Sequence, residues 1–97
     1  MSNKKYNDNV DVNWGSVLSL YRKKINSLVF EGNHYLSLYE KDSYHRFDSY
    51  LPFDRANAVR CASEVIESLS ELNILRRFLK YKPLSYSDVK CEMLIKL

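Results

Sequence analysis

The 97-residue chain is long enough for one domain and too short for two, and its 45% of hydrophobic residues allows a packed core. The formal charge is +3, from 15 basic and 12 acidic residues. This excess of positive charge is small, whereas a dedicated nucleic-acid binder usually carries a dense stripe of basic residues. The sequence has no apolar secretory signal and no apolar run of membrane-spanning length. We therefore expect a cytoplasmic protein that makes no contact with a membrane.

The N-terminal region combines a polar arm with a first helix. Residues 1–12 lack periodicity, so we expect a disordered arm ahead of one helical domain at 13–97. The first helix is predicted from about Trp14 to Phe30, with Asn13 as its N-cap and Gly32 as its left-handed C-terminal cap. Its apolar residues recur at three- and four-residue steps: Trp14, Val17, Leu18, Tyr21, Ile25, Leu28 and Val29.

Residues 34–51 admit two interpretations. As a helix, they gather aromatic and leucine side chains on one broad face. As strands, they use Gly32 and Asn33 as a two-residue turn, which gives a hairpin or small meander within 28–51. The spacing of Tyr44, Phe47 and Leu51 is helical and favours the first interpretation.

The longest predicted helix runs near 54–80, after Pro52, with Asp54 as its N-cap. Its apolar stripe has a 3.6-residue period: Ala58, Ala62, Val65, Ile66, Leu69, Leu72, Leu75 and Leu79. A short helix is predicted at 86–95, where Ser85 and Asp88 resemble a capping box. The predicted fold is an all-α bundle of three or four helices around the long central helix, and the alternative is α+β with a hairpin at 28–51.

No motif in the sequence indicates catalysis, a metal site or a cofactor. Cys61, His45 and Asp48 supply the residue types of a nucleophilic site, but no spacing brings them together. His34 and His45 are too far apart to form a helical ligand pair. We therefore expect no enzyme activity, no metal, no cofactor and no small-molecule substrate. Cys61 and Cys91 are expected as free thiols, with a disulfide between two helices as the alternative.

Aromatic residues supply the case for a protein partner. They make up 13% of the chain and include eight tyrosines, more than so small a core can bury. Exposed tyrosines beside cationic side chains are typical interface anchors. The predicted partner-binding residues are Tyr39, Tyr44, His45, Arg46 and Tyr50. The alternative is that these tyrosines only line the edge of the core, with their hydroxyl groups in water.

The predicted function is therefore a non-enzymatic module that occupies a surface of a larger protein, as inhibitors, antitoxins, immunity proteins and adaptors do. A short chain rich in Asn, Lys, Tyr and Ser is also common among accessory proteins of phages and mobile elements. The alternative is a small nucleic-acid-binding regulator, in which cations contact phosphates and neighbouring aromatics stack on bases. Its candidate residues are Arg22, Lys23, Lys24, Arg76, Arg77 and Lys80.

Overall fold

The structure is a computed structural model that describes residues 12–45 and 51–97. Three helices follow one another along the chain, α1 (Trp14–His45), α2 (Leu51–Phe78) and α3 (Glu92–Ile95), and the described residues contain no strand. At a rise of 1.5 Å per residue, α1 is about 48 Å long and α2 about 42 Å. The all-α prediction is confirmed. The alternative hairpin at 28–51 is wrong, because residues 28–45 belong to α1.

Helix α1 begins at Trp14, as the sequence predicts, and ends at His45, fifteen residues beyond the predicted end at Phe30. The Asn13 side chain caps it, since its Oδ1 accepts a hydrogen bond from the amide of Ser16 at 3.1 Å. The predicted end at Phe30 is wrong, and so is the role given to Gly32, whose φ is not positive. The helix passes through Gly32 without interruption. The predicted arm at residues 1–12 lies outside the described residues except for its last position.

Gly32 is a buried residue of α1 at a point where α2 and α3 come close to the α1 backbone. A Cβ atom built there would lie 2.5 Å from Leu94 Cδ2 and 2.9 Å from Cys61 Cβ, inside ordinary contact distance. Glycine is therefore needed for the close approach of α1, α2 and α3, which outweighs its weak helix propensity of about 1 kcal/mol relative to alanine.

Helix α2 confirms the long central helix with shifted ends. It begins at Leu51, so Asp54 lies inside the first turn and the prediction of Asp54 as N-cap is wrong. Pro52 is compatible with this position, because the amides of a first turn have no intrahelical partner. At the other end, Lys80 adopts a left-handed φ of 70°, and the amide of Tyr81 donates to the Arg76 carbonyl at 2.7 Å. This Schellman arrangement ends the helix.

The two long helices pack antiparallel, as a series of cross-helix contacts shows. At one end the rings of Trp14 and Phe78 lie 6.3 Å apart. At the other end the rings of Tyr35 and Phe53 meet edge to face at 6.4 Å. Between these pairs, the Tyr21 hydroxyl donates to Glu71, and Arg60 forms a 3.0 Å ion pair with Glu31. Successive partners advance along α1 as they retreat along α2.

The C-terminal segment supplies the third side of the core. The capping box at Ser85 and Asp88 forms, with the Asp88 carboxylate accepting from the Ser85 amide at 2.7 Å. The capped residues 86–90 form turns and no helix, because Lys90 adopts a left-handed φ of 58° and the Cys91 amide donates to the Tyr86 carbonyl at 3.1 Å. The predicted continuous helix at 86–95 is therefore wrong, and only α3 follows.

The core lies between the two long helices and this segment. Most of the predicted stripe residues are buried, whereas Ile66 is 41% exposed and Leu75 and Leu79 are half-buried. The buried apolar residues are Ile25, Leu28, Val29 and Leu36 from α1, Ala58, Cys61, Ala62, Val65, Leu69 and Leu72 from α2, and Val89, Cys91 and Leu94 from the C-terminal segment.

Candidate functional site

The predicted tyrosine cluster falls mostly outside the part of the chain whose side chains are described. Tyr39 is half-buried and packs against the core, as the core-edge alternative expects. Tyr44 and His45 belong to the last turns of α1, but their side chains lie outside the described residues. Arg46 and Tyr50 lie outside them entirely. A shared surface for these five residues therefore stays a prediction.

The predicted basic residues are divided among several surfaces. Arg22 and Arg76 line one pocket, although they come from different helices. Lys23 lines a shallow depression at the start of α1, and Arg77 lines a groove on another side of α2. The remaining two are exposed: Lys24 and Lys80. The folding of the hairpin thus joins one residue from each basic cluster and separates the others.

A groove beside α2 is an apolar feature that the sequence pattern did not predict. Helix α2 forms one wall, and residues 84–86 form the other, around a volume of about 540 Å³. The large side chains at its surface remain substantially exposed, at 41% for Ile66, 59% for Ile74 and 41% for Tyr86. The lining residues are Ile66, Leu69, Ser70, Asn73, Ile74, Arg77, Leu84, Ser85 and Tyr86.

Two side-chain hydrogen bonds fix the width of this groove. Asn73 donates to the Leu84 carbonyl at 2.9 Å and accepts from the Leu84 amide at 2.7 Å. A single asparagine therefore satisfies both backbone groups of Leu84, as a neighbouring strand would. The second wall is held against α2 and does not depend on apolar contact alone.

The groove carries positive charge at one end and no negative charge in its lining. Arg77 is the only charged residue among those that line it, and no carboxylate lies among them. The only trace of this site in the sequence is the pair Ile66 and Ile74, two isoleucines eight residues apart on the same helix. Ile66 fits the leucine stripe equally well, so the sequence pattern alone assigned it to the core.

A second pocket of about 640 Å³ lies between the start of α1, the end of α2 and the C-terminal segment. Arg76 is held there, since its Nε donates to the Lys82 carbonyl at 2.8 Å and its guanidinium lies 5.5 Å from the Tyr81 ring centroid. The Nε of half-buried Arg22 is itself buried and has no hydrogen-bond partner. Among the described residues, it is the one buried side-chain nitrogen or oxygen atom without a hydrogen-bond partner.

Asp88 is the acidic residue of this pocket. Hydrogen bonds from Ser85 lower the pKa of its carboxyl group below the usual value, and the positive charges of Arg22 and Arg76 lower the pKa further. Asp88 forms no ion pair within 4 Å of either arginine among the described residues. The Asp88 carboxylate is therefore committed mainly to the capping turn.

The two cysteines are buried free thiols, as predicted. Burial raises the pKa of both Cys61 and Cys91, which disfavours the thiolate, the nucleophilic form. Within the described ranges, no three His, Cys, Asp or Glu side chains are grouped so that they could hold a metal ion. No helix in those ranges is both long and apolar enough to cross a membrane.

Comparison with known proteins identified no relative of this chain. No protein-family model, no curated protein and no solved structure matches the chain.

Proposed function

We propose that this chain is a non-enzymatic protein-binding module, and that the groove beside α2 receives an amphipathic helix from a larger partner. The observation that carries the proposal is the pair of exposed isoleucines, Ile66 and Ile74, opposite exposed Tyr86 in one groove. Single exposed apolar residues are ordinary on protein surfaces. Three that line one groove form a contiguous surface whose burial against a partner is favourable by about 25 cal/mol per Å².

A helix is the occupant that best fits the groove's dimensions. Ile66 and Ile74 are eight residues apart on α2, which corresponds to about 12 Å along the helix axis. This distance matches two turns of a second helix, whose apolar side chains at positions i, i+4 and i+7 would fall beside the two isoleucines. Ser70 lies between them and leaves room for an incoming side chain.

The charge of the groove selects among helices. Arg77 stands at one end, and the lining offers no carboxylate to repel an anionic partner. We therefore expect acidic residues on the partner helix at the end that lies beside Arg77. A module that occupies a partner's helix in this way would serve as an inhibitor, an antitoxin, an immunity protein or an adaptor, including one encoded by a phage or mobile element.

Titration with a designed peptide tests this proposal directly. The probe is a helical peptide of about 15 residues with leucines at i, i+4 and i+7 and glutamates at one end. Its control is a peptide of the same composition in scrambled order. Amide resonances of residues 66–77 and 84–86 should shift with the ordered peptide and remain in place with the scrambled one.

Charge-matched variants locate the contact. Ile74→Glu should weaken binding of the ordered peptide roughly tenfold or more. Leu20→Glu introduces the same charge at a residue that is 65% exposed and outside the groove, so binding should be unchanged. Equal effects from both variants would contradict a specific groove. Shifts confined to residues 39–50 would move the binding surface to the tyrosine cluster predicted from the sequence.

A further inference from the structure

We infer that the pocket lined by Arg22, Arg76 and Lys82 binds a phosphate group. This phosphate site is separate from the proposed protein-binding function, because the residues that would contact the anion do not line the groove. Leu84 alone lines both the pocket and the groove. Either site can therefore fail its test while the other passes.

Arg22 is the residue that points to a ligand. Buried polar atoms are almost always hydrogen-bonded, and leaving a charged group's donor unpaired is costly. Arg22 lines an open pocket, and its buried Nε donates to no protein atom. Because this Nε has no accessible surface, the Arg22 side chain must rotate for an oxyanion in the pocket to accept from the Nε and from the adjacent terminal nitrogen, the paired geometry that guanidinium groups form with phosphate oxygens.

Arg76 is already oriented for the same ligand. Its Nε is occupied by the Lys82 carbonyl and its plane is held near the Tyr81 ring. These two contacts restrict the side chain and leave the terminal nitrogens to serve as donors. Little conformational entropy would therefore be lost when Arg76 contacts an anion.

The charge balance favours phosphate over a carboxylate. Three cationic residues and one acidic residue, Asp88, line the pocket, which gives its lining a net charge of about +2. A phosphate monoester carries about −1.5 to −2 near neutral pH, whereas a carboxylate carries −1. Asp88 is engaged by Ser85, so its carboxylate does not neutralise either arginine through a direct ion pair.

The experiment is an NMR titration of the whole chain at constant ionic strength with inorganic phosphate, acetate or a short oligothymidylate. Phosphate should shift the Arg22 Nε–Hε resonance and the amides of residues 82–88, and equimolar acetate should shift them much less. Arg22→Gln should weaken phosphate binding roughly tenfold or more. Lys23→Gln removes the same charge one residue away, outside the pocket, and should leave the affinity within about twofold.

The remaining outcomes are also decisive. Oligothymidylate shifts on these same resonances, lost in Arg22→Gln, would identify a nucleic-acid backbone as a source of the phosphate and support the site. Oligothymidylate binding without a response to inorganic phosphate would overturn a pocket for a single phosphate group. Equal responses to acetate and phosphate would assign the pocket to carboxylates, and phosphate affinity that survives Arg22→Gln would also overturn the inference.

Discussion

At the scale of single residues, Gly32 is much more closely packed than Gly15, the other glycine of the chain. Sequence reasoning treats a glycine after an apolar stripe as a helix end, because glycine adopts left-handed conformations freely. At Gly32 the relevant property is the absence of a side chain, since Leu94 and Cys61 occupy the space that a Cβ would need. Among the described residues, Lys80 and Lys90 adopt the left-handed conformation.

Gly32→Ala should therefore destabilise the protein. Overpacking against Leu94 and Cys61 costs about 1–3 kcal/mol, which we expect to outweigh the gain of about 1 kcal/mol from alanine's helix propensity. Urea unfolding followed by circular dichroism measures the difference. Gly15→Ala is the matched control, because its Cβ would meet only Asn13 Oδ1 at 3.3 Å, at an exposed helix end. An unchanged midpoint for Gly32→Ala would contradict the close approach.

At the scale of elements, α2 organises the molecule because it presents two different surfaces. One side buries Val65 and Leu72 against α1 and the C-terminal segment, and buried Leu69 lies at the border of this side, where it also lines the groove. The adjacent side exposes Ile66 and Ile74 in the groove. A single helix thus contributes to both stability and the proposed binding surface, and substitutions on its two sides should separate the two properties.

Leu69→Ala tests the structural side of α2. The Leu69 side chain is 3% exposed, and its truncation should cost about 2–5 kcal/mol through lost burial and a residual cavity. Thermal unfolding should show a large fall in the melting temperature. Leu20→Ala removes the same atoms from a residue that is 65% exposed and should change the melting temperature little. Similar melting temperatures for the two variants would contradict the assigned core.

At the scale of the whole molecule, the C-terminal segment converts a two-helix hairpin into a three-sided core. Leu94 is fully buried and fills the space above Gly32, while Asn73 fastens residue 84 to α2. The same segment forms the second wall of the groove and one side of the basic pocket. Both proposed sites therefore depend on the docking of this segment.

A double-mutant cycle between Gly32 and Leu94 measures that docking. Leu94→Ala alone should cost about 2–5 kcal/mol. Because truncating Leu94 removes the atom nearest to the new Cβ, Gly32→Ala should cost less in the Leu94→Ala background than in the wild type, with a coupling of about 0.5–3 kcal/mol. Met93→Ala, at a residue that is 62% exposed, is the uncoupled control. Additive effects for Gly32 and Leu94 would show that α3 does not pack against Gly32.

The sequence by itself determined the properties that arise within a few helical turns. Periodicity gave the helical class and most buried positions of α2, and side-chain chemistry gave the Asn13 cap and the capping box at Ser85 and Asp88. These features depend on residues three or four positions apart, whose contacts are set by helix geometry.

Tertiary structure decided the features that require distant residues. It made Gly32 a packing position, because Leu94 and Cys61 are far away in sequence. It exposed Ile66, because the C-terminal segment reaches α2 at Asn73 and leaves a groove beside it. It brought Arg22 and Arg76 together, because the helices are antiparallel. The apolar pattern of a helix is the same whether or not another part of the chain packs over it. Long-range packing therefore decides which side chains stay exposed and can contact a ligand.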